Sequence, residues 1–246
     1  MILMKNTILA LFILVSLSSC AQQKNSTGDI LKKAGSIFGK KEGSGLTSDE
    51  VVAGLKEALS VGARNSSDKL SSVDGFFANA AIKVLMPEEA KKVESTLRNV
   101  GLGNMVDKAI LSMNRAAEEA SKSAAPIFVD AIKSMSIQDA FGILRGSDSA
   151  ATVYLKGKTT LGLTNAFKPV IESALEKTNA TKYWKDVFET YNKLPTTFNK
   201  VNPDLSGYVT GKALTGIFYQ VAIEEQKIRK DPAARVTDIL KKVFGN

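Results

Sequence analysis

Apolar residues in this chain recur three and four positions apart through almost the whole stretch after Val51, and that period limits the fold to packed helices. Val51, Leu55, Ala58 and Leu59 form one stripe, Val106, Ala109, Ile110, Met113, Ala117 and Ala120 a second, and Leu214, Ile217, Phe218, Val221 and Ile228 a third. Each stripe gives a helix one face that must be buried against a neighbour. Start and stop signals agree with the stripes. Thr47 and Glu50 make a capping box, Pro87 with Glu88 and Glu89 opens a helix ending near Gly101, and Ser136 with Asp139 opens one closed by Gly146. Asp231 before Pro232 opens the last, closed by Gly245. The run from Ser147 to Asn179 contains Gly157, Gly162 and Pro169, which predicts two helices or one kinked helix. Only Ala81 to Met86, ahead of Pro87, reads as extended, so two strands at most are accommodated. The expected body, residues 46–246, is a single-domain all-α bundle of about eight helices.

The first residues follow a different logic. A charged Lys5, an apolar run from Ile8 to Val15 and small residues lead to Leu17-Ser18-Ser19-Cys20, the pattern of a bacterial lipoprotein signal. An ordinary secretory signal or an uncleaved membrane helix are the alternatives, but a span needs about 20 apolar residues and Ser16, Ser18 and Ser19 end this run early. The expectation is that residues 1–19 are removed and that Cys20 carries the acyl chains. Two or three chains, at about 0.8 kcal/mol per buried CH2, anchor firmly where one holds marginally. Residues 20–45 have the Gly, Ser, Lys and Gln content of a flexible tether. Within it Ile30, Leu31, Ala34, Ile37 and Phe38 alternate with Lys32, Lys33, Lys40 and Lys41, either as a basic amphipathic segment on lipid or as a helix folded back on the body. Ala21 and Gln22 carry no acidic inner-membrane retention signal, and Gln22 to Ser26 has no acidic run of the kind used for surface export. The expected location is the outer membrane, facing the periplasm.

Composition removes whole classes of chemistry. There is no histidine and one cysteine, so Ser-His and Cys-His nucleophiles, the commonest general base and an intramolecular disulfide are all excluded. No cofactor and no metal site is expected. The net charge of +8 suits anionic lipid or an acidic partner, or solubility alone; an exported chain does not routinely meet nucleic acid.

Three polar clusters interrupt the stripes. Asn114 continues the stripe from Ile110 to Ala117 and Glu118 follows one turn later, so both form a polar pocket wall, or Arg115 simply pairs with Glu118 or Glu119 in solvent. Glu224 and Glu225 extend the Leu214 to Val221 stripe, and a buried Glu225 calls for Arg229, Arg115 or Arg235 beside it. Gly146 to Thr152 lacks the second glycine and Gly-Lys ending of a phosphate loop, and reads instead as a helix start capped by Ser147 or Asp148, with small Ala150 and Ala151 beside Tyr154.

Across these segments the sequence resembles the bacterial lipoproteins grouped as domain-of-unknown-function family 4197. The resembling stretches are Gly54 to Leu59 with Gly62, Asp74-Gly75-Phe76 leading to Ile82 and Pro87, and Met113 to Glu118. Further along come Asp139-Ala140 through Asp148, Ala150 to Thr152 and Tyr154, and then Glu224-Glu225 through Arg229, Pro232, Arg235 and Thr237 to Phe244-Gly245. The resemblance implies a helical, exported, usually lipid-anchored protein, and brings no catalytic residue with it. The leading functional expectation is a non-catalytic scaffold or adaptor for another envelope protein. The alternative is a small-molecule or lipid-binding bundle with a cavity lined by Phe76, Phe77, Phe141, Phe167 and Phe218; an enzyme using a carboxylate pair with Tyr154 or Arg115 comes last. A cavity of roughly 300 Å3 or more favours the ligand reading. For the anchor, Cys20→Ser is expected to move the protein from the membrane to the soluble fraction on cell fractionation; full retention in the membrane contradicts acylation.

Overall fold

Capping chemistry sets where the helices begin. In the computed structural model, which describes residues 47–181, 184–185 and 204–231, α1 spans Ser48–Ser71. The Thr47 hydroxyl accepts the Glu50 N–H at 3.2 Å, and the Glu50 carboxylate accepts the Thr47 N–H at 2.7 Å. Past Ser72 the chain turns through Asp74, at φ +67°, and runs without helix or strand to Pro87. A 3-10 turn at Glu88–Ala90 then feeds α2, Lys91–Asn99. Gly101 stops α2 with φ +83°, a left-handed conformation that costs glycine little. Its N–H donates to Arg98 O and that of Leu102 to Leu97 O, the paired bonds of a Schellman stop.

The remaining helices are α3 (Gly103–Ser121), α4 (Ala124–Lys133), α5 (Ile137–Arg145), α6 (Ala150–Lys177) and α7 (Leu205–Lys230). The second expected capping box, Ser136 with Asp139, starts α5. Among the described residues every regular element is helical, and all of them belong to one compact unit, Gly43–Asn246. Ala81 to Met86 pairs with no strand among the described residues. The helix expected after Asp231 lies outside the described residues, as do Cys20 and the tether.

α7 packs on α1, α3 and α6. It is buried on more than one face, from Leu205, Val209 and Ala213 through Ile217 and Phe218 to Ile228, and small residues let its neighbours come close. A Cβ at Gly216 would collide with the Phe76 ring, so the fully buried phenylalanine that plugs the 72–87 strap depends on that glycine. A Cβ at Gly62 of α1 would lie 3.3 Å from Glu224 Cβ.

α6 packs on α3, α4, α5 and α7 through a narrower surface. Only Ala151, Leu155, Thr159, Leu163, Phe167, Ile171 and Leu175 are buried, one residue in four along a single row. That row is an i±4 ridge, and ridges of this kind seat in the groove of a facing helix. Ser147 to Asn179 forms one helix where two were the first alternative. Pro169 sits inside it on the solvent side, where the carbonyl deprived of its donor has access to water. The Phe set sits in or at the edge of the core. Phe76, Phe141, Phe167 and Phe218 are core residues, Phe218 meeting Phe128 edge-on at 5.9 Å, while Phe77 is half-exposed beneath Lys83. Rings at helical spacing were drawn together by packing, the ordinary consequence of burying a large apolar area.

Candidate functional site

Asn114 and Glu118, on the inward face of α3, hold the strap. A buried stretch without a ladder leaves backbone donors and acceptors needing partners. Asn114 supplies both kinds: its Oδ1 accepts the Val84 N–H at 2.9 Å, and its Nδ2 donates to Val84 O at 2.8 Å and to Ile110 O at 2.7 Å. Glu118 Oε1 accepts from the N–H groups of Phe76 and Phe77 at 3.1 and 3.2 Å. Its Oε2 accepts from Arg115 at 2.6 Å, and the same guanidinium donates to Asp74 at 2.7 Å. The bond to Glu118 first, then that to Asp74, raises the Arg115 pKa. Arg115 therefore pairs with Glu118, as the surface reading had it, while the carboxylate itself lies inside. Tyr208 of α7 adds a bond from its hydroxyl to Leu85 O at 2.8 Å, and burial pushes its phenol up to about 12.

Glu225 performs the same task at the start of α6. Its Oε1 accepts the Ala151 N–H at 2.9 Å, and its Oε2 accepts the Thr152 N–H at 2.8 Å and the Thr152 hydroxyl at 2.7 Å. These are orphan donors in the first turn of α6, where the helix dipole also favours negative charge. Arg229, one turn along α7, donates to Glu225 at 2.8 and 3.0 Å and to Ile143 O at 2.9 Å, tying α5 into the cluster. This corrects the expected cap. Ser149 occupies the cap position without a side-chain capping bond, its hydroxyl instead meeting that of Ser147 at 3.3 Å, and exposed Asp148 pairs with Lys230, which holds its carboxyl below the usual range. A carboxylate reaching from another helix displaced the local candidates because it arrives already neutralised by Arg229.

Glu224 points into the α1–α7 contact, accepting from Asn65, Gln220 and Lys227 at 3.4, 3.2 and 2.7 Å. Tyr154 is half-buried, with Lys158 above its ring; burial, then Asp139, raises its phenol. It takes no part in the Glu225 or Glu118 bonds, and the two glutamates share no partner among the described residues. Arg115 is not beside Glu225, and Arg235 lies outside the described residues. Among the described residues no three His, Cys, Asp or Glu side chains gather as a metal site.

A cleft with a buried floor lies elsewhere, and the sequence does not announce it. A cleft of about 210 Å3 opens between α2 and α3, floored by buried Met86, Val106, Met113, Trp184 and Leu205 and walled by Val93, Leu97 and Met105. Its signal was α2 itself, whose Val93 and Leu97 make an apolar stripe yet which buries no residue fully. A depression of about 340 Å3 beside Glu119 and Pro169 has no buried residue in its lining and is a surface feature.

These observations define an all-α bundle in which buried Asn114, Glu118 and Glu225 hold backbone. Residues 45–245 match the family described as "Protein of unknown function (DUF4197)", and the chain belongs to that family. No curated protein and no solved structure matches the chain.

Glu225→Ala removes two helix-start bonds and one face of an ion pair together, and is expected to destabilise the fold by roughly 3 kcal/mol. Chemical denaturation measures this, and an unchanged midpoint contradicts the capping role.

Proposed function

We propose that the protein is a lipid-anchored, non-catalytic helical adaptor, held in the cell envelope by acyl chains on Cys20 and docking another envelope protein. The observation that carries the reading is how the candidate polar side chains are engaged. Asn114, Glu118 and Glu225 each bond to backbone of their own chain, so none stands ready to move a proton or attack a substrate. What the surface offers is apolar. The α2–α3 cleft has a buried floor without a charged side chain, and Val100, Leu102 and Met105 beside it are 65%, 42% and 51% exposed. At about 210 Å3 it falls below the range of small-molecule pockets, roughly 300–1,000 Å3, whereas an amphipathic helix laid into a groove needs only a seat for a few anchoring side chains. Methionines in the floor and wall suit such a seat, because their unbranched side chains repack around an incoming one. The occupant favoured here is an amphipathic helix of an envelope partner; an apolar small molecule is the second reading of the same cleft.

A photo-crosslinking residue placed at Met105 of the native lipidated protein distinguishes them. The expected result is one discrete protein adduct in intact envelopes, lost with Leu97→Asp and absent from a probe at Val73. Adducts with lipid or small molecules alone favour the ligand reading, and identical adducts from both positions contradict a docking cleft.

A further inference from the structure

The outward face of α6 carries a feature that the adaptor reading does not use. Between Asp148 and Glu172 the chain contains no acidic residue but three lysines, Lys156, Lys158 and Lys168. At 100° per residue Val153, Gly157, Thr160, Leu161 and Thr164 share one side of the helix, opposite the early part of the buried ridge, with Lys156 at one border and Lys158 at the other. Val153 is 66% exposed and Leu161 74%. The threonines on this side do not need water for their hydroxyls: Thr160 donates back to Lys156 O at 2.6 Å and Thr164 to Thr160 O at 2.8 Å. The face thus presents methyl groups, a glycine and two large apolar side chains, bordered by ammonium groups on flexible stems.

The geometry points to an anionic lipid surface as what this face contacts, with α6 lying parallel to the bilayer. Apolar side chains would enter the headgroup boundary while Lys156 and Lys158 extend sideways to lipid phosphates, as long cationic side chains do at interfaces. Charge complementarity favours lipid over a second copy of the chain, since two such faces would set lysines against lysines. Carboxylates near the face are few and engaged: Asp148 pairs with Lys230, Glu172 lies 4.0 Å from Lys168, and Asp139, which feels Lys158, is bonded to Ser136. The contact is peripheral, for no helix among the described residues is long and apolar enough to cross a membrane. It goes beyond the adaptor reading and does not depend on acylation of Cys20.

The test is therefore made without the anchor. In the full chain carrying Cys20→Ser, Leu161→Cys provides the only thiol for an environment-sensitive fluorophore, and Val100→Cys, on the α2–α3 turn, provides the comparison. With vesicles containing phosphatidylglycerol, emission from position 161 is expected to shift to the blue and that from position 100 to stay put. Phosphatidylcholine vesicles should produce no shift. Lys156→Glu together with Lys158→Glu should weaken the apparent vesicle affinity by roughly 30-fold, with helical circular dichroism retained. An unmoved signal at 161, equal shifts at 161 and 100, or the same shift on phosphatidylcholine overturns the proposal. So does a shift without vesicles that grows with protein concentration, which would assign the face to self-association.

Discussion

A carboxylate inside a helical bundle is tolerable only where donors meet it, and the arrangement of this protein follows from where those donors are. Glu225 on α7 lies against the first turn of α6, whose N–H groups have no partners within their own helix. One side chain therefore joins α7 to α6, and Arg229 extends the junction to α5 through Ile143. Glu118 repeats the solution on the strap, with Phe76 and Phe77 N–H groups in place of a helix start. In both places the charge serves an element distant in sequence. Helices and strap are thus fixed in register by polar bonds, while the ridge of α6 and the faces of α7 supply the apolar area.

Much of the fold was legible because its determinants are local. The capping boxes at Thr47 and Ser136 and the stop at Gly101 involve residues within a turn of each other, and the stripes report which side of each helix is buried. The stripe also placed Glu225 inward with Arg229 one turn beyond. It could not show that the first turn of α6 would be its partner, since that contact joins residues more than seventy positions apart. For the same reason the local caps Ser147 and Asp148 looked sufficient. The strap defeated local reading more completely: Asn114 completes Val84 as a neighbouring strand would, and nothing near Val84 in sequence announces it. Pro169 suggested a break, yet on the exposed side of a long helix it leaves the ridge intact.

These polar clusters also bear on function. Glu118 and Glu225, which a one-dimensional reading offers as catalytic candidates, share no partner among the described residues, and each is bonded to backbone. The two surfaces proposed for recognition are the apolar α2–α3 cleft and the cation-bordered outer side of α6. A helical adaptor held at a membrane would use both, one toward a protein and one toward lipid.

The central claim is that buried carboxylates act as caps reaching between elements, and amide hydrogen exchange at Ala151 and Thr152 tests it most directly. In the wild-type protein both amides should exchange slowly, near the rate of the α7 core. In Glu225→Gln, which keeps the side chain's shape but removes its charge, they should exchange much faster while core amides of α1 and α7 remain protected. Unaltered protection of those two amides in the variant would contradict the account.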